Sequence, residues 1–97
     1  MEAKLRGVIE EVLAELGIAA DFVVEHPADL AHGDYATNVA LACAKSLGEP
    51  PLLVAPRLAA ALTDRLGEVD RIEIAGPGFI NFHLKREYFA QLLQTAL

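Results

Sequence analysis

The stretch Ile72–Leu84, Ile-Glu-Ile-Ala-Gly-Pro-Gly-Phe-Ile-Asn-Phe-His-Leu, constrains the fold more than any other part of the chain. It reads as strand, tight turn, strand. Pro77 fixes φ near the value that suits a turn's second position, and the glycines beside it, Gly76 and Gly78, tolerate positive φ. Both flanks alternate with period two. Ile72 and Ile74 share one face before the turn, with Arg71 and Glu73 on the other. After it, Ile80, Phe82 and Leu84 share a face, and Phe79, Asn81 and His83 share the opposite one. The aliphatic face belongs on a core. The other face sets an aromatic ring, an amide and an imidazole side by side, the groups that stack on a base and hydrogen-bond its edge. The same pattern also describes the ordinary solvated side of a sheet.

The rest of the chain supplies helices to cover that sheet. Residues 2–16 form an amphipathic helix, with Leu5, Val8, Ile9, Val12, Leu13 and Leu16 on one stripe and Gly17 as its stop. Asp21–His26 reads as a short strand ended by Pro27. A polar connection over Ala28–Gly33 leads to Asp34 as the expected N-cap of a helix over Tyr35–Leu47, which Gly48 closes. Leu52–Leu66 looks helical but contains Pro56. A proline inside a helix removes a backbone bond and costs about 3 kcal/mol, so the pattern predicts a break there, with Leu52–Ala55 as a separate turn, or a kink. Lys85–Leu97 reads as a last helix. The expected order is α-β-α-α-β-β-α. That order predicts a two-layer α+β fold, a small mixed or antiparallel sheet with helices packed on one face. Residues 1–97 make one domain.

Charge and chemistry then narrow the function. The formal net charge is −6, which argues against a general, charge-driven nucleic-acid binder; any RNA contact has to be local and directed at shape or bases. With 54% hydrophobic residues the chain is globular. No apolar run reaches the length of a membrane span, and no signal-peptide pattern opens the sequence. The single cysteine, Cys43, sits among alanines and reads as a small buried apolar residue, consistent with a reducing compartment and a cytoplasmic protein. His26, His32 and His83 do not form a metal-ligand pair at helical spacing. Ser46 is not in a nucleophile elbow, and no phosphate loop or dinucleotide fingerprint is present. His32 and Asp34 could form an acid–base pair, but capping is the simpler role. No catalytic residue, metal ligand or cofactor site is therefore assigned to this chain.

Two segments carry a family resemblance. His32-Gly33-Asp34-Tyr35-Ala36-Thr37-Asn38-Val39-Ala40 with Ala44-Lys45-Ser46-Leu47-Gly48-Glu49-Pro50-Pro51 resembles one signature of the N-terminal additional domain of arginyl-tRNA synthetase. Ala75-Gly76-Pro77-Gly78-Phe79-Ile80-Asn81-Phe82 resembles its second. The resemblance covers essentially the whole chain and departs from the family at Pro56. It implies an α+β domain that precedes a catalytic domain and touches the D-loop corner of tRNA(Arg). It also implies that Phe79 and Asn81 contact an exposed D-loop base, with His83 as a neighbour. Arg71 and Lys85, at the outer ends of the two strands, are candidate phosphate contacts. The family's ATP- and arginine-binding motifs belong to the catalytic domain and are absent here, so both an excised domain and a free-standing relative fit. A different class of function also fits the acidic surface: a protein-interaction module without RNA binding.

Overall fold

The computed structural model of the protein describes residues 1–27 and 33–85. The predicted last helix, apart from Lys85, and the predicted connection, apart from Gly33, lie outside the described residues. So does His32. Helix α1 spans Glu2–Leu16 and ends at Gly17, whose φ of 70° lets its N–H reach the Ala14 carbonyl while the Ile18 N–H reaches Leu13. Two short strands follow, β1 (Val24–Glu25) and β2 (Tyr35–Thr37). Helices α2 (Val39–Leu47) and α3 (Pro51–Thr63) come next, then the hairpin β3 (Val69–Ala75) and β4 (Phe79–Leu84). The strands form one fully antiparallel sheet in the order β1-β2-β4-β3. The architecture is the expected α+β arrangement.

Register sorts the side chains onto two faces. Val24, Thr37 and Ile80 lie in one row, and Tyr35, Phe82 and Ile72 in another. These rows face the helices. Phe82, Ile80, Leu5, Val39, Cys43 and Ala55 are completely buried in the shared core. The alanines of α2 let it approach closely: Ala40 and Ala44 are buried where it packs on α3 and β4. Burial pushes the Cys43 thiol's pKa up, which keeps it neutral and apolar in character. At the surface, Arg65 ties the end of α1 to the segment after α3 through Glu11 and Glu15, and Lys4 pairs with Glu68.

Two local expectations are corrected. The residues 35–37 are a strand, not the first turn of a helix, and Asp34 is not an N-cap. Its N–H donates to the Phe82 carbonyl at 2.8 Å, and its Oδ2 accepts the Leu84 N–H at 2.8 Å. The next residues continue the stitching. Thr37 Oγ1 donates to the Val23 carbonyl at 2.7 Å, and Asn38 Oδ1 accepts the Val23 N–H at 2.8 Å. Pairing with two neighbours outweighs the helical period, because a helix starting at Tyr35 would leave β4 and Val23 without these partners. Removing Asp34's carboxylate strands the Leu84 N–H in a half-buried site. Asp34→Ala is expected to destabilise the protein by about 1–3 kcal/mol, more than loss of an exposed cap, as read by its melting temperature.

The second correction is at Pro56. Helix α3 is continuous across it, beginning with Pro51 at its first turn; Leu52–Ala55 is not a separate turn. Leu52 and Pro56 both lie on the exposed side. The carbonyl that loses its intrahelical partner therefore belongs to a solvated residue, which limits the penalty.

Candidate nucleic-acid interface

The hairpin turn sets the geometry. Gly78 N–H bonds the Ala75 carbonyl at 3.3 Å, which places Gly76 at the turn's second position with φ 56° and Pro77 at the third. Positive φ followed by negative φ is the pattern of a hairpin turn with glycine leading, so Pro77 stands one place later than the sequence predicts. Gly78 has φ 136°, and a Cβ there would come within 2.7 Å of the Pro51 Cβ. The turn is thus seated on the start of α3.

Away from the helices, the sheet carries a row Glu25–Ala36–Asn81–Glu73 across all four strands. Above it lies a pocket of about 400 Å³ lined by Glu25, Pro27, Ala36, Ala75, Phe79 and Asn81, with Gly76 at the turn. Phe79 is half-buried, and its ring lies within van der Waals range of the Gly76 position, so one edge covers the turn. Asn81 corrects the expectation of an exposed face: it is only 5% exposed. Strand β4 is interior to the sheet, with Ala36 of β2 beside Asn81 on one side and Glu73 of β3 on the other, so a short amide there keeps little surface in solvent. That amide nonetheless makes no side-chain hydrogen bond to a described residue. The residue lines the open pocket, so a ligand seated there can reach its amide, which both donates and accepts.

The other candidates stand elsewhere. His83 is largely buried, with Nε2 3.5 Å from Glu73 Oε1 and close against Gly33. Arg71 Nε lies 2.9 Å from the same Glu73 oxygen. Lys85 is exposed just beyond β4, its N–H bonded to the Glu68 carbonyl. Arg71, His83 and Lys85 therefore occupy the hairpin end remote from the turn, and only Phe79 and Asn81 line the pocket. Glu68, beside Lys85 in the chain fold, has its pKa lowered chiefly by its hydrogen bond from Lys4, with the Lys85 charge adding to it.

The family model for the arginyl-tRNA synthetase N-terminal domain matches residues 3–84. The chain belongs to this family. An arginine–tRNA ligase of Geotalea daltonii is 45% identical over 103 aligned positions, covering 96% of this chain and 18% of the relative. One of Oceanobacillus iheyensis is 39% identical, covering 93% and 16%. The crystal structure of the Plasmodium falciparum arginyl-tRNA synthetase has the same fold, with a TM-score of 0.81 at 20% identity over 95% of this chain and 17% of that one. The Thermus thermophilus arginyl-tRNA synthetase superposes with a TM-score of 0.74 at 27% identity, covering 95% and 15%. The chain thus spans less than a fifth of the length of these relatives. Within the arginyl-tRNA synthetase N-terminal domain seen here, Glu25, Pro27 and Ala36 are the pocket residues that the sequence pattern did not single out. Alternation in β2 would have revealed Ala36 only once residues 35–37 were read as a strand.

Proposed function

We propose that this domain serves an arginine–tRNA ligase by reading tRNA(Arg), and that the pocket beside the Gly76–Gly78 turn takes an unstacked D-loop base. The observation that carries this reading is the pairing of Asn81 with Phe79: a largely buried residue whose amide makes no side-chain hydrogen bond to a described residue lines an open pocket next to an aromatic ring. A flipped-out base satisfies both features, stacking on Phe79 and pairing its edge with the amide. A net charge of −6 gives no general attraction for phosphates, so the domain contributes discrimination, and the rest of a ligase contributes affinity.

The test is titration with a tRNA(Arg) transcript, paired with thermal unfolding. A stacked base is worth about 1–3 kcal/mol, so Phe79→Ala is expected to weaken binding roughly 5- to 150-fold. Asn81→Ala removes an amide that makes no side-chain hydrogen bond to a described residue, so it is expected to weaken binding while changing stability by less than about 1 kcal/mol. In a ligase carrying this domain, both variants are expected to slow tRNA charging and spare amino-acid activation. Unchanged tRNA affinity for both variants would refute the reading and favour a protein-binding role for this face.

A further inference from the structure

We infer that two copies of this domain pair edge to edge through β3, joining their sheets into one. Strand β3 lies at the edge of the sheet, with only β4 beside it among the described strands. The direction of its free groups follows from the far side of β4. There the Phe82 carbonyl accepts the Asp34 N–H and the Leu84 N–H donates to Asp34 Oδ2, so Phe82 and Leu84 turn these groups away from β3. That direction alternates along an antiparallel strand. Asn81 and His83 therefore bond Glu73 and Arg71, while Ile72 and Ile74 aim their N–H and C=O groups out of the sheet. Such a row is a template for another strand. The register shift between Val69 and Arg71 ends the row on one side and the turn at Gly76 ends it on the other, leaving Arg71–Ala75 regular. The opposite edge, β1, has only two residues and offers no comparable row.

The side chains select a second copy of the same strand as the occupant. In an antiparallel pair centred on Ile72, the Ile72 residues of the two copies exchange main-chain hydrogen bonds, and Arg71 of each copy stands opposite Glu73 of the other. A pair centred on Arg71 or on Glu73 would set like charges face to face, so charge fixes the register. Within one copy, Arg71 Nε already lies 2.9 Å from Glu73 Oε1. The guanidinium has five N–H donors, which leaves others to reach the second carboxylate. Both side chains remain in solvent contact, Arg71 being exposed and Glu73 half-buried. On the helix-facing side the same register brings the Ile72 side chains together and gives Ile74, 38% exposed in the single copy, an apolar neighbourhood. Glu25, Ala36 and Asn81 lie on strands away from this edge, so pairing leaves both pockets open on one outer face.

The test is sedimentation equilibrium of the full chain, with thermal unfolding of each variant as a check on folding. A small interface associates weakly, so the wild type is expected to pass reversibly from monomer to dimer as its concentration rises toward about 1 mM. Arg71→Glu and Glu73→Arg each turn both cross-copy pairs into like-charge pairs, and each is expected to weaken the dimer about tenfold or more. The double variant Arg71→Glu/Glu73→Arg restores opposite charges in the same register and is expected to recover the wild-type constant within about threefold. Ile74→Pro removes an outward N–H while sparing the ladder to β4, and is expected to abolish the dimer in a folded protein. A wild type that stays monomeric throughout overturns the proposal, as does a dimer that survives Ile74→Pro. Single charge reversals without effect, or a double variant as weak as the singles, overturn the proposed register and with it the pairing of the two edges.

Discussion

Phe82→Ala is expected to remove about 3–5 kcal/mol of stability, the loss typical of a phenylalanine deleted from a closed core. Phe82 is completely buried in the interior strand β4, opposite Tyr35 on one side and Ile72 on the other. The helices close the remaining side, where α2 and α3 both contact β4. Collapse around the missing ring would have to move two strands and two helices together, so most of the cavity persists. A domain of this size has only about 5–15 kcal/mol in total. Urea unfolding should show a large fall in midpoint with little change in slope. The adjacent substitution Asn81→Ala, which points to the opposite face, supplies the contrast. Equal destabilisation by the two would mean that both side chains serve the core.

Gly33→Ala is expected to cost more than the roughly 1–2 kcal/mol of a left-handed backbone alone. Gly33 has φ 95°, and a Cβ there would fall 2.8 Å from the Phe82 carbonyl oxygen and 3.3 Å from His83 Nε2. The carbonyl cannot retreat freely, because it also accepts the Asp34 N–H at 2.8 Å. Gly48 offers the matched control. Its φ is 68°, and no atom lies within 4 Å of the added carbon, so Gly48→Ala carries the backbone term without the clash. The difference between the two melting temperatures measures the close approach, and a Gly33→Ala variant no less stable than Gly48→Ala would show that the loop yields easily.

These two sites explain what the first signature does. Gly33 allows a close backbone approach, Asp34 bonds the Phe82 carbonyl and the Leu84 N–H along one edge of the β4 end, Ala36 floors the pocket, and Thr37 and Asn38 hold Val23. Most of the motif assembles the sheet that carries the pocket. From the sequence, its Asp followed by an alanine-rich run looked like a cap and a helix. The helical period is real from Val39 onward, and the pattern simply does not register that the preceding three residues find partners far along the chain.

The sequence by itself determined α1, the glycine stops after α1 and α2, the β3–β4 hairpin, and the division of β4 into a core face and a polar face. All of these rest on interactions between residues close in sequence, where a period of 3.6 or 2 and the φ preference of glycine leave few alternatives. It also placed Phe79 and Asn81 together, because residues two apart in a strand must share a face. Tertiary structure alone decided that Tyr35–Thr37 is a strand, that Asn81 is buried, that Arg71, His83 and Lys85 stand apart from the pocket, and that Glu25 and Ala36 complete it. Each of these depends on which strand lies beside which. The order β1-β2-β4-β3 brings residues 25, 36 and 81 into one row. Such pairing is fixed by hydrogen bonds across long separations and by the burial of the whole sheet face, and neither leaves a local period to read.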